Sequence, residues 1–351
     1  MEYRILPKIA IPQNSKFDSQ RAIELANLVE RAYQQYDTDQ REEEWKPEIT
    51  GELTGSDNCK EDLTQDAPTQ DELSLKYSIL SVFKFTGFWN TFMETVPFGF
   101  IAKRGDDIFI VFRGTREKQE WYRNFDFGQR EFLGKKDLGL VSKGFQTIYT
   151  RSIREKDRYF VRLNDDNQLE AKKDRWLDII FQSKGHPESL AETIDRTLKT
   201  DGVITDKTKI FITGHSLGGA LATMAMLQIT TQTDLKPTLY TFASPRTGNP
   251  EFAKHFHNLE CFRVANSEDI VPTLPLSTGR FVGERIFNMM SEQQRDGVES
   301  LRSFIGSFIS GWHQGYEHIG EPLYFTEQKG SISSNHNMSG TYREAIPGCN
   351  L

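Results

Sequence analysis

Residues 209–226 read Lys-Ile-Phe-Ile-Thr-Gly-His-Ser-Leu-Gly-Gly-Ala-Leu-Ala-Thr-Met-Ala-Met, and the pattern Gly214-x-Ser216-x-Gly218 within them has a direct chemical reading. A β-branched apolar run precedes it and a run of small helix-forming residues follows it. That strand–turn–helix context is the one in which this pattern presents a serine nucleophile. A serine at the tip of so sharp a bend must adopt a strained backbone conformation. Its neighbours two positions before and after approach each other closely and have to be very small. The bend holds the Ser216 hydroxyl clear of the sheet. It also sets a helix N-terminus behind it, with unpaired N–H groups and partial positive charge. From there the Leu217 N–H can point at an oxyanion developing on an attacked carbonyl. The implied chemistry is nucleophilic attack on an acyl carbon. A serine needs a general base for this, and the base needs an orienting carboxylate. In this architecture their chain order is Ser, Asp, His.

The elements that must position such a site can be traced along the chain. Asp18 to Tyr36 predicts a packing helix, with Ala22, Leu25, Ala26, Val29, Ala32, Tyr33 and Tyr36 on one stripe and Asp18 or Ser19 as cap. Leu73 to Val96 is crowded with Phe83, Phe85, Phe88, Trp89 and Phe92 and reads as core, with a pocket lining as the alternative. Phe98–Ala102 and Ile108–Phe112 flank Arg-Gly-Asp-Asp and predict a hairpin; the second strand is apolar enough for a buried sheet. Helices are expected over Gly144–Ser152 and Ser189–Leu198, a turn at 164–167, and strands over Lys209–Thr213, Cys261–Ala265 and Pro322–Phe325. Strands alternating with helices predict an α/β fold with a mainly parallel central sheet covered by helices on both faces.

Composition excludes several classes. The 351 residues carry a net charge of −7 and no basic patch, which argues against a nucleic-acid partner. Asp37 to Glu72 holds thirteen acidic residues against Arg41, Lys46 and Lys60, and is read as an acidic insertion on the surface. No apolar run approaches the length of a membrane-spanning helix, and Met1–Gln13 lacks the apolar stretch of a signal peptide. The expectation is a cytoplasmic chain or one peripheral on membranes. Cys59, Cys261 and Cys349 form neither a disulfide framework nor a metal-ligand spacing, which fits a reducing compartment. His255 and His257 form a His-x-His pair without a third ligand, so no metal and no cofactor are expected.

Four stretches, in order, resemble the class 3 lipases, the α/β-hydrolase family of fungal triacylglycerol lipases and their plant and bacterial relatives. They are Phe112-Arg-Gly-Thr115, Gly214-His-Ser-Leu-Gly-Gly219, Phe242-Ala-Ser-Pro-Arg-Thr-Gly-Asn249 and Arg263-Val-Ala-Asn-Ser-Glu-Asp-Ile-Val-Pro272. The resemblance covers roughly residues 17–345. It implies that Asp269 is the acid, with Glu268 its nearest rival. The local pattern agrees, because Asp269 follows a strand, where open α/β sheets build their sites. After Asp269 only His313, His318 and His336 remain. Histidines of this family's triad come from a late loop, which favours His336 with its Gly- and Ser-rich approach. His318, just before the last strand, is the alternative. Thr115 matches the family's oxyanion position and joins the Leu217 N–H there. His215 has the wrong place in the order to be the base and is read as packing support.

The sequence departs from the family pattern twice. Ser142 stands where relatives often carry histidine, and the chain between Asp269 and His336 is long. That length holds an apolar face at 298–312, from Val298 to Trp312, read as a docked helix or a cap that opens onto lipid. Residues 116–127, with Trp121 and Phe125, lie where the family keeps its lid helix. The expectation is one domain over 1–351 with an acidic insertion at about 37–72 and a helical insertion at about 282–312. It would hydrolyse carboxylic esters of acyl lipids, with transient lipid contact through 116–127 or 298–312. The alternatives are a phospholipase A1 or galactolipase, a short-chain esterase, and a non-enzymatic scaffold.

Overall fold

A computed structural model of the chain describes residues 9–40, 77–89, 92–115, 126–154, 157–173, 188–275 and 315–348. The acidic insertion beyond residue 40, residues 116–125 of the lid stretch, the insertion at 282–312 and His313 lie outside the described residues.

Helix α1 spans Ser19–Gln40. It starts at Asp18, whose carboxylate accepts the Arg21 N–H at 3.1 Å. Of its predicted stripe Ala22, Leu25, Ala26, Val29 and Ala32 are fully buried, Tyr36 is buried and Tyr33 half-buried, and Leu28 joins them at 0% exposure. The helix runs four residues beyond Tyr36, into the start of the acidic stretch. Three strands follow: β1 (Ser78–Trp89), β2 (Phe92–Arg104) and β3 (Asp107–Phe112). They pair antiparallel, and the Arg104–Asp107 turn is the predicted hairpin. The aromatic stretch is therefore sheet. Phe83 stacks on Phe112 at a centroid distance of 4.7 Å and Phe85 is buried against Phe98.

Strands β4 (Gln129–Glu131) and β5 (Leu140–Ser142) form a small ribbon leading into α2 (Lys143–Thr150). That helix stops two residues before its predicted end because the chain turns into β6 (Arg151–Arg154). With β7 (Asp157–Leu163) and β8 (Leu169–Lys173) it makes a three-stranded antiparallel sheet, of which only the 164–167 turn is predicted from the sequence. Helix α3 (Leu190–Leu198) opens with a capping box in which Ser189 and Glu192 exchange hydrogen bonds at 3.2 and 2.9 Å.

The remaining main-sheet strands are β9 (Lys209–His215), β10 (Thr238–Phe242), β11 (Cys261–Asn266) and β12 (Glu321–Phe325), with α4 (Leu217–Gln232) between β9 and β10. The sheet order is β1-β2-β3-β9-β10-β11-β12, and every pair from β3 onward is parallel. Alternation along β3 sends Ile108, Ile110 and Phe112 into the core under α4, and Phe109 and Val111 into the core under α1. Helix α4 is buried on every side from Leu217 to Ile229, as befits a helix held between the sheet and α2 and α3. Each fully buried Leu or Phe contributes about 1.5–3 kcal/mol relative to exposure. Among the described residues no helix is long and apolar enough to cross a membrane.

Candidate active site

The passage from β9 to α4 fixes Ser216. It sits at φ 58° and ψ −128°, a left-handed conformation costly for a residue with a Cβ, and its N–H is held by the Phe242 carbonyl at 2.9 Å. The glycines around it are spatial necessities. A Cβ on Gly214 would lie 2.1 Å from the Gly218 oxygen, and one on Gly218 would lie 2.5 Å from the Phe112 oxygen. Gly218 thus lets the start of α4 rest against the end of β3. That contact brings the Gly114–Thr115 segment beside the serine: a Cβ on Gly114 would be 2.8 Å from the Ser216 Cβ.

Two later loops complete the cluster. The His336 Nε2 lies 2.7 Å from Ser216 Oγ, and its Nδ1 lies 2.6 Å from Asp269 Oδ2. All three residues are at most 5% exposed. An ionised carboxylate can only accept, so Nδ1 carries the ring proton and Nε2 presents a lone pair to the hydroxyl. Asp269 follows β11 and is held on both oxygens. Oδ1 accepts the Val271 N–H at 3.0 Å, and Oδ2 also accepts the Tyr342 hydroxyl at 2.6 Å. A buried carboxylate needs such donors to remain charged. The Tyr342 oxygen in turn accepts the Asn266 N–H at 3.1 Å. Burial first, then the charge of Asp269, pushes the Tyr342 phenol well above its ordinary range, so it stays a donor.

Asparagines tie the two loops together. Asn266 Nδ2 donates to the carbonyls of Glu327 and Asn335, and Asn335 Nδ2 donates to the Glu268 carbonyl at 3.0 Å. Lys329 bridges Glu327 and Glu344 at 3.0 and 3.1 Å and also bonds the Gly340 carbonyl, which fastens the approach to His336.

The other side of the serine carries Thr115 and Leu217. Leu217 is the first residue of α4, so its N–H has no intrahelical acceptor. Thr115 is 7% exposed and its buried Oγ1 has no partner, a donor available for charge forming nearby. The preceding residue, Gly114, is held at both its N–H and its carbonyl. Arg113 Nη1 donates to the Gly114 carbonyl at 2.7 Å and the Gly114 N–H donates to the Tyr33 hydroxyl at 3.0 Å. Holding that carbonyl fixes the direction of the Thr115 N–H, because both belong to one planar peptide. Arg113 is fully buried, with its guanidinium 4.1 Å from the Tyr36 ring centroid. Tyr33 also faces His215 Nδ1 at 2.8 Å, and the His215 ring lies 4.6 Å from that of His336.

The rivals are elsewhere. Glu268 turns its carboxylate to Gln328 at 3.1 Å. His318 lies beside Arg246 and Arg263 and bonds the Pro272 backbone; burial first, then those two charges, hold its pKa down at about 2. Ser142 is buried and donates to the Asp126 carbonyl at 3.0 Å. His255 faces the Asp137 carbonyl at 3.0 Å, and no metal-binding group of His, Cys, Asp or Glu occurs among the described residues. From the sequence Tyr342, Arg113 and Asn266 have no assigned role, and Tyr33 reads only as part of the packing stripe of α1. Arg113 and Asn266 lie inside the quoted stretches, while Tyr33 and Tyr342 carried no signal of function.

A mainly parallel sheet that sets a strained serine between strand and helix, and meets it with an acid and a histidine from later loops, is the architecture of the α/β-hydrolase fold. Residues 109–279 match the family described as lipase (class 3). Curated relatives include Arabidopsis thaliana triacylglycerol lipase OBL1, 29% identical over 223 residues covering 58% of this chain and 42% of the relative. Another is Arabidopsis thaliana phospholipase A1-IIgamma, 28% identical over 191 residues covering 48% of this chain and 38% of the relative. The chain thus spans about two fifths of the length of these relatives (42% and 38%). Among solved structures, the Rhizomucor miehei lipase propeptide complex aligns with a TM-score of 0.46 at 18% identity, over 97% of this chain and 86% of that one.

Proposed function

We propose that the chain is a serine hydrolase of carboxylic esters in acyl lipids. One observation carries the reading: the 2.7 Å and 2.6 Å contacts that link Ser216, His336 and Asp269 in series, all buried. Ser216 Oγ attacks the ester carbon while His336 Nε2 takes its proton. The oxyanion is held by the Leu217 N–H and by Thr115. The tetrahedral intermediate collapses as His336 returns the proton to the leaving alcohol, breaking the C–O bond and leaving an acyl-serine. Water, deprotonated by His336, then releases the acid. Asp269 holds the imidazole in the needed tautomer and stabilises its positive form. No cofactor takes part in these steps.

Acyl lipids are the favoured substrates because the matched relatives carry the names triacylglycerol lipase and phospholipase A1. We take the triacylglycerol reading first and the phospholipase A1 reading second. Transient contact with a lipid surface is proposed for 116–127 or 298–312 on their sequence pattern.

The test is labelling of the folded protein with a serine-reactive phosphonate and mapping of the adduct. The expected site is Ser216. His336→Ala should reduce labelling severely and His318→Ala should leave it largely intact. Absence of label at Ser216 would instead favour a non-enzymatic scaffold. Rates on emulsified long-chain glycerides, phosphatidylcholine and short soluble esters then separate lipase, phospholipase and esterase.

A further inference from the structure

Arg263 occupies the middle of β11, paired with Thr241 of β10 and Pro322 of β12. It is only 4% exposed. Its Nη2 donates to the Tyr324 hydroxyl at 3.2 Å, but its Nε and Nη1 have no acceptor among the described residues. Arg246, from the loop after β10, is the nearest cation in electrostatic terms. Its Nη1 holds the carbonyls of Thr273 and Pro275, and burial first, then the Arg263 charge, lowers it to about 10. His318 feels both charges, and its Nδ1 is buried without a partner.

Among the described residues neither guanidinium makes a salt bridge to a carboxylate. Glu321, on the neighbouring strand, pairs with Phe262, whose side chain packs under α1, so strand alternation puts Glu321 on the opposite face from Arg263. A buried cation with two unpartnered donors, beside a second, half-buried one, is costly unless a negative partner joins it. Tyr324, 51% exposed with its hydroxyl on Arg263, marks the solvent side of the cluster.

We propose that Arg263, Arg246 and His318 form a binding site for a small phosphate-type oxyanion behind the loop that carries Asp269. The anion's oxygens accept from Arg263 Nε and Nη1. Hydrogen phosphate, or the monoanion of a phosphomonoester, also has a hydroxyl to donate to the neutral His318 Nδ1, so a protonated phosphate suits the trio better than chloride. Because Arg246 grips Thr273 and Pro275 and His318 grips Pro272, occupancy stiffens the chain just after Asp269. The inference does not depend on ester hydrolysis.

Thermal unfolding of the full chain tests it, in inorganic phosphate or sn-glycerol 3-phosphate against sodium chloride at equal ionic strength. The expected result is a saturable rise in Tm of roughly 2–5 °C that disappears in Arg263→Gln and in Arg246→Gln. A response to inorganic phosphate identifies a free-anion site. A response to glycerol 3-phosphate alone identifies a phospholipid head group as the source. Phosphorus NMR line broadening with the unmodified protein gives a second readout should either variant fail to fold. No Tm response and no broadening with either anion, or a response retained in both variants, overturns the proposal.

Discussion

The Tyr342 hydroxyl lies 2.6 Å from Asp269 Oδ2, the same oxygen that faces His336. A carboxylate oxygen with two donors cannot rotate toward either without straining the other. Tyr342 also accepts the Asn266 N–H from the end of β11, so one phenol couples the strand to the acid it supports.

Replacing Tyr342 with Phe removes that oxygen and little else. The Asn266 N–H is left without its acceptor, at about 1–3 kcal/mol of stability. With Asp269 less constrained, kcat should fall by about tenfold to 10²-fold with KM little changed, as expected for a small loss of alignment. Equal KM and kcat in Tyr342→Phe and the parent protein, at matched folding, would remove Tyr342 from the positioning role.

Thr115→Val separates the needs of function from those of folding. Its Oγ1 is buried with no partner, so an isosteric methyl should leave the fold as stable or more so. If that hydroxyl stabilises the oxyanion, kcat should drop by about 10²–10³-fold. Parallel measurements of ester turnover and thermal unfolding read both effects, and an unchanged kcat would assign the oxyanion to backbone N–H groups alone.

Gly218→Ala should cost both fold and activity. The added methyl would meet the Phe112 and Arg113 oxygens at 2.5 and 2.6 Å, both backbone atoms that cannot swing away. The penalty should reach at least the 1–3 kcal/mol typical of overpacking. Gly105→Ala, in open space but at φ 58°, is the control for turn strain alone. Urea denaturation of both variants makes the comparison, and an equal loss in the two would show that close approach is not what requires Gly218.

Glu30 gives the fold a pH dependence of its own. Burial raises its carboxyl above the ordinary 4.5, opposed first by Arg343, with Ser339 and Arg31 also lowering it and Glu344 adding to the rise. The folded protein therefore holds this proton more tightly than the unfolded chain. The protonated form favours folding below pH 4.5, and that advantage is lost as pH rises through the raised value. Glu30→Gln should accordingly gain stability relative to the parent as pH increases from 4 toward 8. A constant stability difference across that range would exclude Glu30 as the source.

Much of the frame was legible in the linear chain. The stripe of α1, the β2–β3 hairpin, the helix from Ser189 to Leu198 and the bend at Ser216 all rest on contacts between residues near in sequence, where periodicity and turn chemistry speak directly. The antiparallel sheet over Arg151–Lys173 escaped because its polar, charged strands alternate weakly and gain their definition from pairing with one another.

The site divides in the same way. Residue types alone determined that a serine at this bend would be strained, accessible to an acyl group and backed by a helix N-terminus. They left Glu268 beside Asp269, and His318 beside His336, as open choices. Only the tertiary structure decided which side chains meet Ser216, since 120 positions separate it from His336 and no local pattern encodes so distant a contact. The same distance hid Tyr342, Tyr33 and Asn266, whose work is to hold one loop against another and exists only once the sheet has brought those loops to one end.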